Sequence, residues 1–543
     1  MVHVNYQLFM FNYIKKKNKQ ELTIVLLLYA TFLLISIIAY DDFGISVDEW
    51  ELRILGFANL KYLIGLFSLN KANELNNIMP IPDLSDYLGT HGAIFALPMS
   101  IIEYIFDIKD SQTYYFLRHY INHIVFLFGS FYLYLLVKQR FNNWTYGILA
   151  VLFLILSPRI FAESFYNHKD VIFLSFFIIN LYYGIKFFKK NSLLNASFFA
   201  LTTALSIDIR IMGIVIIPCI IVPIILKNQN KIRKILLSLT LYVLLLFLFT
   251  ILFWPYLWDS PLINFIKVFQ KLSSFPHSGY NFYMGEYILA SYSPWHYIPV
   301  WMLITTPPLY ILLFLFGLIY FVIDALKYVN SKNIWNENFF IEDIIYLALL
   351  FIPIIMVIAL NSTLYNGWRH LYFVYPCLLI FSVRGIHYLR LTFFSKKKWV
   401  IEILTIIFLA QISFDMIKNH PFQNVYFNFF AGDNVEKKFE IDYWGLSNKQ
   451  AFEYILEKEK TSKINIGSAG PISLENSKMI LDSKDRNRIN ITKNSEADYI
   501  IDNYINWHGR LKKEKYQIPR SFKIDKNIIV SGKKISSIYK STK

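Results

Sequence analysis

Residues 21–50 read ELTIVLLLYATFLLISIIAY and then DDFGISVDEW. The first part is almost wholly aliphatic and aromatic, and long enough to cross about 30 Å of hydrocarbon as a helix. The second part is acidic, and in it Asp48 and Glu49 stand side by side. Two neighbouring carboxylates at a bilayer surface lose hydration and repel anionic lipid, so the pair asks for a reason. One reading makes it a catalytic or metal-binding acid that works on a membrane-embedded substrate. The other makes it a solvated helix start, where carboxylates suit the positive end of the helix dipole.

The apolar pattern of 21–40 recurs along the chain. Of 543 residues, 55% are hydrophobic, 18% aromatic and only 17% charged, which excludes an ordinary soluble domain. Apolar blocks lie at about 21–40, 118–137, 146–162, 171–188, 192–209, 211–226, 234–254, 297–322, 341–360, 371–388 and 399–415. Many have no polar face, so amphipathic surface helices do not explain them. The net charge of +16 could suggest nucleic acid. Much of the Lys and Arg, however, lies in short loops between blocks, and the rest in a polar tail without a nucleic-acid-binding motif, so no such partner is expected. Cys219 and Cys377 both fall inside apolar blocks and read as core thiols. Lys15-Lys16-Lys17-Asn18-Lys19 precedes the first block with no small-residue cleavage site, which marks a retained first span.

Basic residues set the topology. Lys138/Arg140, Lys186/Lys189/Lys190, Lys227/Lys231/Arg233/Lys234, Lys327/Lys332 and Arg390/Lys396/Lys397/Lys398 occupy alternate loops. Placing them all in the cytoplasm gives one alternation over about eleven transmembrane helices. The segment 91–108 is short, contains Pro98 and Glu103, and would reverse every later loop if it crossed. It is expected to be juxtamembrane or re-entrant, packed against protein. The expected fold is therefore an all-α polytopic membrane protein with a small α/β tail. Its parts are a cytoplasmic segment 1–20, a transmembrane domain 21–415 with a first outer loop at 41–117, and an extracytoplasmic domain 416–543. In the tail, Ser447 to Gln450 has the form of a capping box for a helix to about 460. Strand-like runs follow at 463–467, 488–492, 497–504 and 528–531.

With this topology the chemistry gathers at the outer face of a plasma membrane. Ionisable groups at the ends of spans are functional candidates. Arg210, in the turn after Asp208, could grip a lipid phosphate with two hydrogen bonds; snorkelling or a local pair with Asp208 would also explain it. The hairpin 157–170 collects Arg159, Glu163, His168, Lys169 and Asp170. Asp170 could cap the next helix, Lys169 could neutralise phosphate, and His168 lacks any regular metal-ligand spacing. In 361–370 an aromatic belt explains Tyr365 and Trp368 but not Arg369 and His370, which suit a phosphate site or proton handling. No Walker loop, dinucleotide fingerprint, GxSxG elbow, HExxH or paired CxxC is placed where it could act.

The acidic pair after the first span, an outer loop ending in Asp before a long helix, and a basic residue near a Gly in a later turn resemble the GT-C superfamily. Within it the chain is similar to the branch of protein O-mannosyltransferases and aminoarabinose transferases, over roughly 20–415. The tail string His420 to Asn428, followed by Asp442-Tyr443-Trp444-Gly445, is similar to that of bacterial members. The resemblance implies transfer of a sugar from a polyprenyl-phosphate carrier to a protein, lipid or glycan acceptor at the outer face. It implies Asp48 as base with Glu49 beside it, Asp170 as the acid of the second outer loop, and Arg210 at the carrier phosphate. Lys169, Arg369, His370, His91 and Arg159 are further phosphate or substrate candidates. A divalent ion between Asp48 and Asp170 would fit some relatives. His91-Gly92 stands where many mannosyltransferases have His-Pro-Pro, which leaves sugar and acceptor open. Two rival readings are a lipid-linked-sugar flippase and a non-catalytic assembly subunit. A flippase usually shows internal repeats and broken helices at the midplane, whereas here no repeat is evident and the polar groups collect on one side.

Overall fold

The computed structural model describes residues 2–85, 91–273, 279–329, 338–505 and 514–542. Lys332 and part of the 254–296 loop fall outside the described residues. Among those described, eight helices are long and apolar enough to cross a membrane: Lys19–Ala39, Ser111–Phe141, Asp170–Lys189, Gln229–Phe253, Pro308–Tyr328, Asn338–Ala359, Arg369–Leu391 and Lys398–Lys418. Trp144–Ile155 and Pro158–Tyr166 meet at 71° and make a ninth if counted as one broken span. The other two expected spans are the shorter apolar helices Leu193–Ile209 and Ile211–Lys227.

Local chemistry sets these boundaries. Asp110 opens the helix Ser111–Phe141 by accepting the Thr113 amide at 3.0 Å, and Asn142 closes it in the left-handed conformation (φ 48°). Asn143 then caps the next helix through the Thr145 amide at 3.0 Å. The expected span 297–322 is divided: Tyr297–Thr305 is a separate helix and the crossing starts at Pro308. Pro307 and Pro308 explain the break, because a residue before proline avoids the helical region. Glycines let two spans touch. A Cβ on Gly385 would stand 2.0 Å from the Leu313 carbonyl oxygen, and one on Gly317 would stand 2.2 Å from that of Phe381. Close backbone approach of this kind is how helices pack where lipid removes the hydrophobic drive.

The short helix Ala96–Ile105 packs on Glu49–Gly65, where a Cβ on Gly56 would meet the Ala96 carbonyl oxygen at 2.4 Å. Its buried Glu103 accepts from Arg53 Nε at 2.9 Å and from Arg118 Nε at 2.7 Å. A carboxylate that would be costly against lipid is thus matched by two guanidiniums inside protein.

The tail forms the helix Ser447–Lys458 and a mixed five-stranded sheet. After the hairpin of β1 (Tyr280–Tyr283) and β2 (Glu286–Leu289), the tail strands are β3 (Ile464–Ser468), β4 (Ile489–Ile491), β5 (Tyr499–Asp502), β6 (Phe522–Val530) and β7 (Lys533–Ser541). Their order is β4-β3-β5-β7-β6, with β3 parallel to β4 and β5, and β7 antiparallel to β5 and β6. The expected capping box at Ser447 is not what starts the helix. Asp442 does so, accepting the Leu446 amide at 3.1 Å and the Ser447 amide at 3.0 Å. The tail is fastened to the helices. Ser111 Oγ donates to the Met479 carbonyl at 2.7 Å, and Asp42 lies 2.7 Å from His420 Nε2.

Candidate functional site

Asp48 directly precedes the helix Glu49–Gly65, yet its side chain makes no capping hydrogen bond. The carboxylate instead accepts from Arg369 Nη1 at 2.6 Å. The solvated-helix-start reading therefore does not describe this residue. The same Arg369 nitrogen donates to Asp170 Oδ2 at 3.2 Å, so one guanidinium bridges two acids from separate helices. It also lies 4.6 Å over the Trp444 ring and 5.0 Å from that of Tyr365, which fixes its plane.

Asp170 has its other oxygen paired with Arg210 and is also held by Asn167 Nδ2 at 3.1 Å. Asn167, not Asp170, caps the following helix, accepting the Asp170 amide at 2.9 Å. The two acids differ in access: the Asp48 side chain is 32% exposed and that of Asp170 only 1%. Asp170 is saturated with cations, and Asp48 is the more accessible of the two acids.

Lys169 Nζ donates to His91 Nε2 at 2.8 Å. Burial, with Arg210 nearby, pushes the Lys169 ammonium down to about 7. Burial and the Lys169 charge hold His91 well below the usual imidazole range, so it serves as a neutral acceptor. The His91 loop is anchored by Asp208, whose carbonyl accepts the Gly92 amide and whose carboxylate accepts the Ile94 amide, both at 2.9 Å. A side chain at 92 has no room, since a Cβ there would stand 2.1 Å from Asp208 Cγ. Asp208 therefore holds a loop and does not pair with Arg210, and Arg210 points inward to Asp170.

The remaining candidates separate. His370 meets the Tyr365 ring edge-on at 4.6 Å, beside Arg369. Arg159 donates to the Tyr426 carbonyl at 3.0 Å and lies 4.5 Å over Phe427, so its head is engaged by the tail. Glu49 is fully buried and faces away from Asp48's partners: its Oε1 accepts the Ser46 amide at 2.6 Å and its Oε2 lies 2.9 Å from His119 Nε2. The divalent ion expected between Asp48 and Asp170 does not fit the geometry. A guanidinium already bridges them, and Arg210 takes the remaining Asp170 oxygen.

Several neighbours were given no role in the sequence reading. Glu163 accepts from Tyr372 at 2.7 Å and from Tyr443 at 3.1 Å, linking the broken span to the tail behind Trp444. Arg118 and His119 lie inside an apolar helix. The rule that ionisable groups in spans are candidates would have found them.

Comparison with known proteins bears on this constellation. Residues 99–254 match the family model described as dolichyl-phosphate-mannose-protein mannosyltransferase. A solved structure, ArnT from Cupriavidus metallidurans bound to undecaprenyl phosphate, is similar over 95% of this chain and 97% of its own. The two share 9% identity at a TM-score of 0.47. No curated protein matches the sequence.

Proposed function

We propose that this chain is an integral-membrane glycosyltransferase that moves a sugar from a polyprenyl-phosphate carrier to an acceptor, with Asp48 as the base. The family match at 99–254 supports transferase chemistry. The observation that carries the residue assignment is the pairing pattern around Asp48. The guanidiniums of Arg369 and Arg210 are matched by the carboxylates of Asp48 and Asp170, whereas among the described residues the Lys169 ammonium has neutral His91 as its hydrogen-bond partner. Lys169 is thus a basic group that no described carboxylate engages directly, beside one reachable carboxylate. A lipid phosphate is a partner that suits it.

In this reading Asp48 takes the proton from an acceptor hydroxyl or amine, whose lone pair attacks the anomeric carbon. The bond from that carbon to the phosphate oxygen breaks on the opposite face, inverting the configuration. Lys169 and Arg210 stabilise the charge gathering on the departing phosphate, and Arg369 orients Asp48. Neither carboxylate needs a metal ion for these roles.

We also place the site at the extracytoplasmic face and the N-terminus in the cytoplasm. Asp170 and Lys189 stand at opposite ends of one helix, about 30 Å apart at 1.5 Å per residue. The end opposite the site holds Lys138, Arg140, Lys186 and Lys189, the basic set that favours the cytoplasm.

Asp48→Asn tests the assignment. Purified protein is given a panel of polyprenyl-phosphate sugars, and release of free polyprenyl phosphate is followed. Turnover should vanish while carrier binding and folding persist. Undiminished turnover in this variant would remove Asp48 from its role.

A further inference from the structure

The structure collects a second constellation on the far side of Glu49. Its Oε2 lies 2.9 Å from His119 Nε2 and 3.7 Å from His168 Nε2. One ligand atom from each of the three residues falls within 4.8 Å of the others, and all three side chains are buried. We propose that Glu49, His119 and His168 bind one divalent transition-metal ion of the zinc class, with water in the fourth position.

Four observations carry this. The donor set is two imidazole nitrogens and one carboxylate oxygen, which suits a borderline-soft ion and is a poor set for magnesium or calcium. The spacing is close to what such an ion needs. Ligands about 2.0–2.1 Å from a tetrahedral centre stand roughly 3.3–3.5 Å from one another, and the two measured distances from Glu49, 2.9 and 3.7 Å, straddle that value. The hydrogen bonds behind the ligands are those of a metal site. His119 Nδ1 lies 3.2 Å from the Tyr40 carbonyl oxygen, an acceptor for an Nδ1 proton, so that Nε2 would turn its lone pair to an ion that replaces the proton between it and Glu49. The other oxygen of Glu49 is held by the Ser46 amide at 2.6 Å.

The fourth observation is His168. It is 3% exposed, its ring interacts with the Phe165 backbone, and its Nε2, 3.7 Å from Glu49, meets no hydrogen-bond partner at bonding distance among the described residues. A buried imidazole nitrogen left without a partner costs stability unless something binds it. Arg118, a cation close by, is already committed to Glu103 at 2.7 Å.

The site would act by position. Glu49 adjoins Asp48, and His168 adjoins Lys169 and, one residue on, Asp170. An ion held by these ligands would pin the first loop, the helix Ser111–Phe141 and the 167–169 turn at one point. That would fix the acid and the cations around it without touching substrate. The inference stands on ligand geometry alone and does not need the transferase reading.

Metal content decides it. The full chain, purified in detergent from zinc-replete cells, should hold about one equivalent of zinc. His168→Ala should run as the same monodisperse species and lose the metal at least tenfold. After chelation, cobalt(II) chloride should give the visible bands of a tetrahedral nitrogen–oxygen site in the native chain. Zinc-edge X-ray absorption of the native chain, which needs no variant to fold, should show imidazole scattering. A folded native chain without bound metal and without cobalt bands overturns the site. So does zinc held undiminished by His168→Ala, or a zinc spectrum lacking imidazole.

Discussion

Replacing Arg369 with Lys keeps the positive charge and removes the geometry, which separates the two things this residue could do. One Arg369 nitrogen serves Asp48 at 2.6 Å and Asp170 at 3.2 Å, while the guanidinium plane lies against Trp444 and Tyr365. A Lys ammonium on a shorter reach holds one acid at most and loses the planar stacking. The missing charge-assisted hydrogen bond is worth about 1.5–3 kcal/mol, and the stacking about 0.5–1 kcal/mol. If that energy fixes Asp48 for reaction, a loss of roughly 2–4 kcal/mol lowers kcat by about 30- to 1,000-fold at 1.36 kcal/mol per decade. Carrier affinity should change by only a few-fold, because the charge near the phosphate is unaltered. The assay is steady-state release of polyprenyl phosphate, alongside equilibrium binding of the carrier to the same preparation. A variant with near-native kcat and sharply weakened carrier binding would refute the reasoning, since Arg369 would then grip phosphate and not the acid.

Three further outcomes follow from the geometry. Glu103→Gln leaves Arg53 and Arg118 buried without their anion, so stability should fall by about 3–5 kcal/mol; an unchanged thermal midpoint in detergent would contradict it. Gly92→Ala puts a Cβ 2.1 Å from Asp208 Cγ and should displace the His91 loop, lowering turnover about tenfold at a stability loss near 1–3 kcal/mol; full activity would show that the loop has slack. Burial pushes the Asp442 carboxyl up to about 6, above its unfolded value near 3.9. The folded state therefore holds this proton more tightly, and the stability it contributes, at most roughly 3 kcal/mol, is present below about pH 4 and lost as pH rises through 6. Asp442→Asn should remove that component from the pH dependence of the tail's unfolding midpoint, and an identical pH profile in the variant would refute the assignment.

What the sequence disclosed was local, and what it hid was not. Apolar blocks announce spans because lipid demands about twenty apolar residues in a row, and Asp48-Glu49 stood out because acids are rare at a membrane surface. Partners are another matter. Asp48 and Arg369 are 321 residues apart, and Asp170 and Arg369 are 199 apart. Nothing in either neighbourhood says that one guanidinium will bridge two acids. Arg210 reads from its sequence as aimed at the headgroups, because its turn does not reveal that Asp170 waits inside. Asp208 seemed its natural local partner, and the close backbone contact at Gly92 took it instead. Even Ser447 lost its capping role to Asp442, five residues upstream, since a box pattern cannot show that a buried carboxylate already holds those amides.

The adjacent acids that first marked the chain end with opposite duties, and helix geometry explains why. Successive residues entering a helix of 3.6 residues per turn are rotated by about 100°. Asp48 and Glu49 cannot therefore face the same partners. Asp48 turns to Arg369 and keeps a third of its side chain accessible, as a base must if an acceptor is to reach it. Glu49 turns inward, wholly buried, to two histidines on separate segments. A reactive carboxylate gains from a rigid support because misplacement of a catalytic group by even 1 Å can cost about a hundredfold in rate. Under the proposed roles, the inner acid holds the loop still so that the outer one can act. The two halves of this argument can fail separately: loss of metal should slow turnover without abolishing it, whereas Asp48→Asn should abolish turnover with the metal still bound.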